Sequence, residues 1–245
     1  MHSLYQTNSH NHEITVYDTT ELYGEKGNFR VMQFSNNAIQ GAMDLNHPKR
    51  VVFEYPRAII HLMELNVPYF EDVFVIGHGI GTIASYFSEK RFTIAELDHE
   101  VVNLSRKYFG YSKDNVVIGD GRQILEDEAP HKYDYIILDA FTAAGTPRHL
   151  ISSEFFSIVS LKLNAHGFII MNLMGKGEND PLVNAIYTTL NAEFTYIKSF
   201  ALPAEGAGDI RNIIIIGGYQ PIRFQARHMA GLGEIQLGQG YLIRD

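Results

Sequence analysis

The sequence contains no cysteine, so disulfides and thiolate chemistry are excluded. It has no basic surplus either: 28 acidic against 20 basic side chains give a formal net charge of −8. Non-specific nucleic-acid binding draws on lysine and arginine at the phosphates, so no nucleic-acid partner is expected. A small cationic substrate is compatible with this charge. No stretch approaches the roughly 18 consecutive apolar residues of a membrane span, and no membrane partner is expected. Residues 1–13 are polar and histidine-rich, which does not read as a signal peptide. With the missing cysteine, this points to a cytoplasmic protein. His2, His10 and His12 read as part of a loose tail rather than a metal site. Neither HExxH nor paired CxxC spacing occurs, so no metal is expected.

What is present is an ordinary globular composition, 45% hydrophobic over 245 residues, with one outstanding motif. Val73-Phe74-Val75-Ile76 is a short apolar run that predicts a strand buried on both faces. Gly77-His78-Gly79-Ile80-Gly81-Thr82 follows and leads into a helix start at Ile83-Ala84-Ser85-Tyr86-Phe87. Glycines at a strand-to-helix turn let the backbone approach a ligand and aim N–H groups at it. The motif therefore predicts a nucleotide-like ligand.

Upstream, Glu13-Ile14-Thr15-Val16-Tyr17 and Phe29-Arg30-Val31-Met32-Gln33-Phe34 alternate polar and apolar residues as half-exposed strands do. Ser35-Asn36-Asn37 is a turn signal before Ala38-Ile39-Gln40. A small antiparallel sheet is expected over residues 1–50. Residues 52–65 have a helical pattern despite Pro56.

Downstream, further strands are predicted over 92–97, 115–118, 133–138 and 168–173, with helices over 99–109, 155–163 and 181–190. Val101, Val102, Leu104 and Tyr108 supply an apolar stripe on the first of these helices. Strands over 194–200 and 212–216 are separated only by a glycine-containing loop, so they must pair antiparallel. The glycine-rich stretch 231–240 reads as a peripheral loop. The expected fold is α/β: a doubly wound, seven-stranded, mostly parallel sheet over 51–245, preceded by a small β-rich domain.

Open α/β sheets bind ligands at the carboxyl ends of their strands. Gly77, Gly79 and Gly81 stand at the first such end, and Glu96, Leu97 and Asp98 at the second. Gly119, Asp120 and Gly121 stand at the third and Asp139 at the fourth. Glu96 lies about twenty residues beyond the first glycine, where a carboxylate suits ribose hydroxyls. Asp98 is placed to cap the following helix. Asp120 reads either as a turn residue or as a ligand near an adenine edge, and Asp139 either as structural or as part of the site. A dinucleotide loop would need its last glycine where Thr82 stands, so NAD is disfavoured.

At these residues the chain resembles the spermidine synthase family, a branch of the class I S-adenosylmethionine-dependent methyltransferase (Rossmann-like) fold. The resemblance covers roughly residues 13–218. It rests on Val73 to Gly81, on Glu96-Leu97-Asp98 with Val101-Val102 and Lys107-Tyr108-Phe109, on Val117-Ile118-Gly119-Asp120-Gly121, and on Tyr133-Asp134-Tyr135-Ile136-Ile137-Leu138-Asp139. Ala38-Ile39-Gln40 resembles the family's N-terminal segment whose glutamine approaches the cofactor.

The resemblance implies decarboxylated S-adenosylmethionine, or S-adenosylmethionine itself, as co-substrate. The three glycines would line its amino-acid or aminopropyl end, and Gln40 would approach the cofactor. Glu96 would hold the ribose and Asp120 the adenine amino group, with Leu97 and Gly121 also binding the cofactor, and catalytic Asp139 would face the reacting amine in a pocket shaped by Gln40 and a catalytic Tyr55. A small-molecule amine acceptor and a homodimer are implied as well.

The chain departs from spermidine-forming members at Ile80, at Thr142, and at Pro56-Arg57 after Tyr55, where the family has an aspartate, a second aspartate and a His-Glu pair. Asp139-Ala140-Phe141-Thr142-Ala143, Thr146-Pro147-Arg148-His149-Leu150 and Glu154-Phe155 instead resemble spermidine synthase-like proteins of uncertain substrate. Arg148, His149, Arg211 and Asn212 read either as exposed residues or as contacts for an anionic acceptor. Three functions are therefore expected in order: aminopropyl transfer to an amine, methyl transfer from intact S-adenosylmethionine, and non-catalytic binding of an adenosyl ligand.

Overall fold

The computed structural model describes residues 2–9, 12–34, 39–142, 145–204, 206 and 208–245. His10, the turn signal Ser35-Asn36-Asn37 with Ala38, and Ala143 lie outside the described residues.

The leading region is a four-stranded antiparallel sheet in chain order: β1 (His2–Ser9), β2 (His12–Leu22), β3 (Glu25–Phe34) and β4 (Ile39–Asp44). The loose tail expected at the start is instead an edge strand. Residues 2–9 pair antiparallel with residues 12–18, so main-chain bonding overrides a polar sequence. Ile14, Val16 and Met32 from this sheet pack against Val101, Leu104 and Phe109 of α3 (His99–Phe109).

α1 (Glu54–Asn66) follows. Pro56 is tolerated because it falls in the first turn, where its missing N–H has no intrahelical partner to lose. Ile59, Ile60, Leu62 and Met63 are buried, at about 1.5–3 kcal/mol each, so packing rather than propensity holds the helix.

The main sheet has the order β12-β10-β11-β9-β8-β5-β6-β7. Its parallel part is β5 (Asp72–Ile76), β6 (Arg91–Glu96), β7 (Val116–Ile118), β8 (Tyr133–Leu138) and β9 (Leu163–Gly175). β10 (Tyr196–Ala201) and β11 (Arg211–Gly218) form the expected antiparallel pair, and β11 also runs antiparallel to β9.

The sheet has eight strands rather than seven. β12 (Gly233–Ile235) pairs with Ser199, Phe200 and Ala201 of β10, so part of the stretch read as a loop covers an edge that would otherwise present unpaired backbone. β9 also begins earlier than expected, directly where α5 (Ser153–Lys162) ends.

One face of the sheet packs on α4 (Gly121–Asp127), α5 and α6 (Pro181–Asn191) through Leu125, Phe155, Phe156, Val159, Val183, Ile186 and Leu190. The other face packs on α1 and on α2 (Thr82–Tyr86) through Ala58, Ile59, Leu62, Met63, Ile83 and Ala84. No helix among the described residues is long and apolar enough to cross a membrane.

Candidate active site

Strand order reverses between β5 and β8, and in an open α/β sheet a ligand crevice forms at that point. Gly77 follows β5 and Asp139 follows β8. The two turns touch: the Asp139 N–H donates to the Ile76 carbonyl at 2.9 Å. A Cβ on Gly77 would lie 2.1 Å from the Asp139 carbonyl oxygen, and Gly77 has φ +98°. Only glycine allows this approach. Gly79 and Gly81 also have positive φ, +52° and +78°.

The glycine loop is held on its other sides as well. The carbonyl oxygen of Gln40 lies 2.9 Å from where a Cβ on Gly79 would be, and the Ile80 side chain fills the space beside Gly41. His78 is buried, and its Nε2 meets Ser105 Oγ of α3 at 2.8 Å. Burial pushes the His78 imidazole down to about 4, helped by the nearby Arg106, so the ring is neutral near pH 7.

Gln40, Tyr55, Gly77, Gly79, Gly81 and Asp139 line one cleft. The Tyr55 phenol sits beside the Asp139 carboxyl in this cleft. Burial raises the Asp139 carboxyl above its ordinary value, partly offset by donors from Asn172 and Tyr55. Burial and the adjacent carboxylate hold the Tyr55 phenol well above 10, so Tyr55 acts as a neutral donor.

The other expected residues stand at the neighbouring strand tips. Glu96 ends β6, with Oε2 accepting the His78 N–H at 2.8 Å and Oε1 the Asp98 N–H at 2.9 Å. It thus meets the cleft through the glycine loop. Burial raises its carboxyl, and the two backbone donors lower it. Leu97 is exposed, at 59%. Asp98 caps α3 by accepting from the Glu100 N–H. Asp120 caps α4: Oδ1 accepts from the N–H groups of Arg122 and Gln123, and Oδ2 meets His149 Nε2 at 2.9 Å. Gly121 opens α4, where a Cβ would lie 2.5 Å from Ile76 Cγ2.

Asn212 turns its amide toward β9, donating to Asn172 Oδ1 at 3.0 Å. Arg148 donates to the Arg244 carbonyl. The described residues contain no group of three histidine, aspartate or glutamate side chains placed to hold a metal.

Two features were missed in the sequence. Asn172 touches Asp139, and the signal was a lone amide inside the apolar run 168–173. The His78–Ser105 contact left no such signal, because the two residues are 27 apart in sequence.

Residues 52–203 match the spermine/spermidine synthase domain. The chain belongs to the spermine/spermidine synthase family. Among curated relatives, putrescine N-methyltransferase 2 of Nicotiana attenuata is 31% identical over 136 residues, covering 51% of this chain and 37% of that protein. A polyamine aminopropyltransferase of Vibrio vulnificus is 28% identical over 171 residues, covering 66% of this chain and 56% of that protein. The matched regions thus span between about a third and just over half of these relatives' lengths. Among solved structures, a probable spermidine synthase from Corynebacterium glutamicum superposes with a TM-score of 0.75 at 22% identity, covering 87% of this chain and 79% of that one. That similarity establishes the family's fold here, a doubly wound α/β sheet with a leading β sheet.

Proposed function

We propose that this chain is a spermidine synthase-like transferase that moves an aminopropyl group from decarboxylated S-adenosylmethionine to a small amine. The observation that carries this reading is the Asp139 carboxylate, which accepts from Asn172 and shares one cleft with Tyr55 and the glycine loop. The residues present fit an adenosyl co-substrate. Gly77, Gly79 and Gly81 let the loop take the positive φ values with which it runs along the cleft. Glu96 has acceptor capacity beyond its two backbone donors. On this reading Glu96 with Leu97 meets the ribose, Asp120 with Gly121 meets the adenine, and Gln40 closes the cleft from β4.

The sulfonium of the co-substrate supplies the leaving group. An N–C bond forms as the C–S bond breaks, the bonding pair goes to sulfur to leave a neutral thioether, and the amine proton passes to Asp139. Asp139 acts as the base, and Tyr55 orients its carboxylate by donation. The reading takes residues 1–50 as a leading β region and 51–245 as the catalytic domain of a cytoplasmic homodimer in polyamine biosynthesis.

A second reading is methyl transfer from intact S-adenosylmethionine. The identity to a putrescine N-methyltransferase supports it, and so does Ile80. Ile80 is an apolar side chain in the glycine loop, so no carboxylate there repels that of the intact co-substrate. Calorimetry with each co-substrate, and mass spectrometry of the product formed with a diamine, decide between the two. Tighter binding of the intact form with a methylated product overturns aminopropyl transfer, and binding of neither overturns both.

A further inference from the structure

Asp139 is backed by a chain of amides that crosses the sheet. Asn172 lies on β9 beside Met171, the partner of Leu138 on β8, and this register sets it next to Asp139. Its Nδ2 donates to Asp139 Oδ1 at 2.8 Å. Its Oδ1 accepts from Asn212 Nδ2 at 3.0 Å. Ile214 of β11 pairs with Asn172, and Asn212 is two residues away on the same face, so its amide reaches Asn172 diagonally. The bond donated by Asn212 fixes which end of the Asn172 amide points at Asp139.

Asn172 is buried, at 1% exposure, and Ile170 and Ile214 on its face are fully buried aliphatics. An aliphatic side chain would satisfy this position for packing alone, whereas a buried amide is tolerated only when its polar groups are met. Here the oxygen is met by Asn212, and the nitrogen by Asp139, which lines the cleft.

We propose that Asn172, held by Asn212, is a positioning residue for Asp139: it fixes the rotation of the carboxylate and keeps a donor on Oδ1. The inference rests on Asp139 as the proposed base. The groups that bear on Asp139 are Tyr55 from α1 and Asn172 from β9, and neither is charged at neutral pH. Removing the Asn172 donor therefore leaves burial opposed by Tyr55 alone.

The test is a carbon-13 NMR titration of the Asp139 carboxyl in the full chain, which needs no acceptor substrate. Asn172→Leu should raise its midpoint by about one unit or more, and Asn212→Ala should raise it by less. In turnover assays the acid limb of kcat should move upward by a similar interval, with KM for the adenosyl co-substrate unchanged. An unmoved Asp139 midpoint in both variants overturns the proposal. So does a kcat loss that is equal at every pH and tracks a loss of folded protein. Should Asn172→Leu fail to fold, Asn212→Ala carries the same reading, since it frees the Asn172 amide to turn. Asp139→Asn separates the two levels. If it keeps full turnover, the assignment of the base fails, while the titration still decides whether Asn172 controls the carboxylate.

Discussion

The two ends of the site hold their carboxylates in different ways. At the Glu96 and Asp120 end, most donors are backbone N–H groups within a few residues or in the adjoining loop: His78 and Asp98 for Glu96, Arg122 and Gln123 for Asp120. At the Asp139 end, the Asn172 side chain of β9 donates and the Tyr55 phenol of α1 faces the same carboxyl. A carboxylate met by nearby backbone is fixed once the strand, loop and helix form. A carboxylate met by distant side chains is fixed only when the whole sheet has assembled. The first arrangement builds a stable cradle, and the second leaves a carboxylate whose environment single substitutions can tune.

Several substitutions can break or sharpen this contrast. Gly77→Ala places a Cβ 2.1 Å from the Asp139 carbonyl oxygen at a φ of +98°. It should cost roughly 3 kcal/mol or more, read by urea unfolding. A cost under about 0.5 kcal/mol would mean that the two loops do not meet. Asp139→Asn should lower turnover at least about a hundredfold while calorimetry shows the adenosyl co-substrate still bound. A parallel loss of binding would erase the distinction between the two ends.

Glu96→Gln should weaken the adenosyl ligand by about ten- to a hundredfold, since hydrogen bonds to charged groups contribute roughly 1.5–3 kcal/mol. Little change would show that Glu96 serves only its loop. Asp120→Ala removes the cap of α4 and should cost about 1 kcal/mol of stability, measured by thermal unfolding.

The smallest effect concerns pH. Burial raises the folded Asp139 carboxyl above its ordinary value, so ionising it opposes folding. Wild-type stability from this group is undiminished below the ordinary aspartate range near about 3.9, and falls as pH rises through the folded midpoint. The Tm of Asp139→Asn minus that of the parent should therefore grow from about pH 4 to pH 7. A flat difference would show that the carboxyl is not destabilised in the folded chain.

Much of this was legible in advance where chemistry and sequence neighbourhood coincide. The apolar run 73–76 followed by three glycines yielded β5 and its turn, and Asp98 read directly as the cap of α3. The antiparallel closing pair followed from the lack of a crossover. The misreadings share one cause. β1 and β12 have weak local signals and exist because an edge strand was available to pair with them.

The sequence by itself determined the βα order, the glycine turn and the acidic residues at the tips of β6, β7 and β8, because these depend on periodicity, backbone freedom and capping within a few residues. Only the tertiary structure decided that Asn172 and Asn212 line up behind Asp139, that Tyr55 meets it from the helix, and that His78 anchors the loop to Ser105. Those contacts span 27 to 84 residues of chain, and strand register and helix packing, which no local pattern encodes, bring them together.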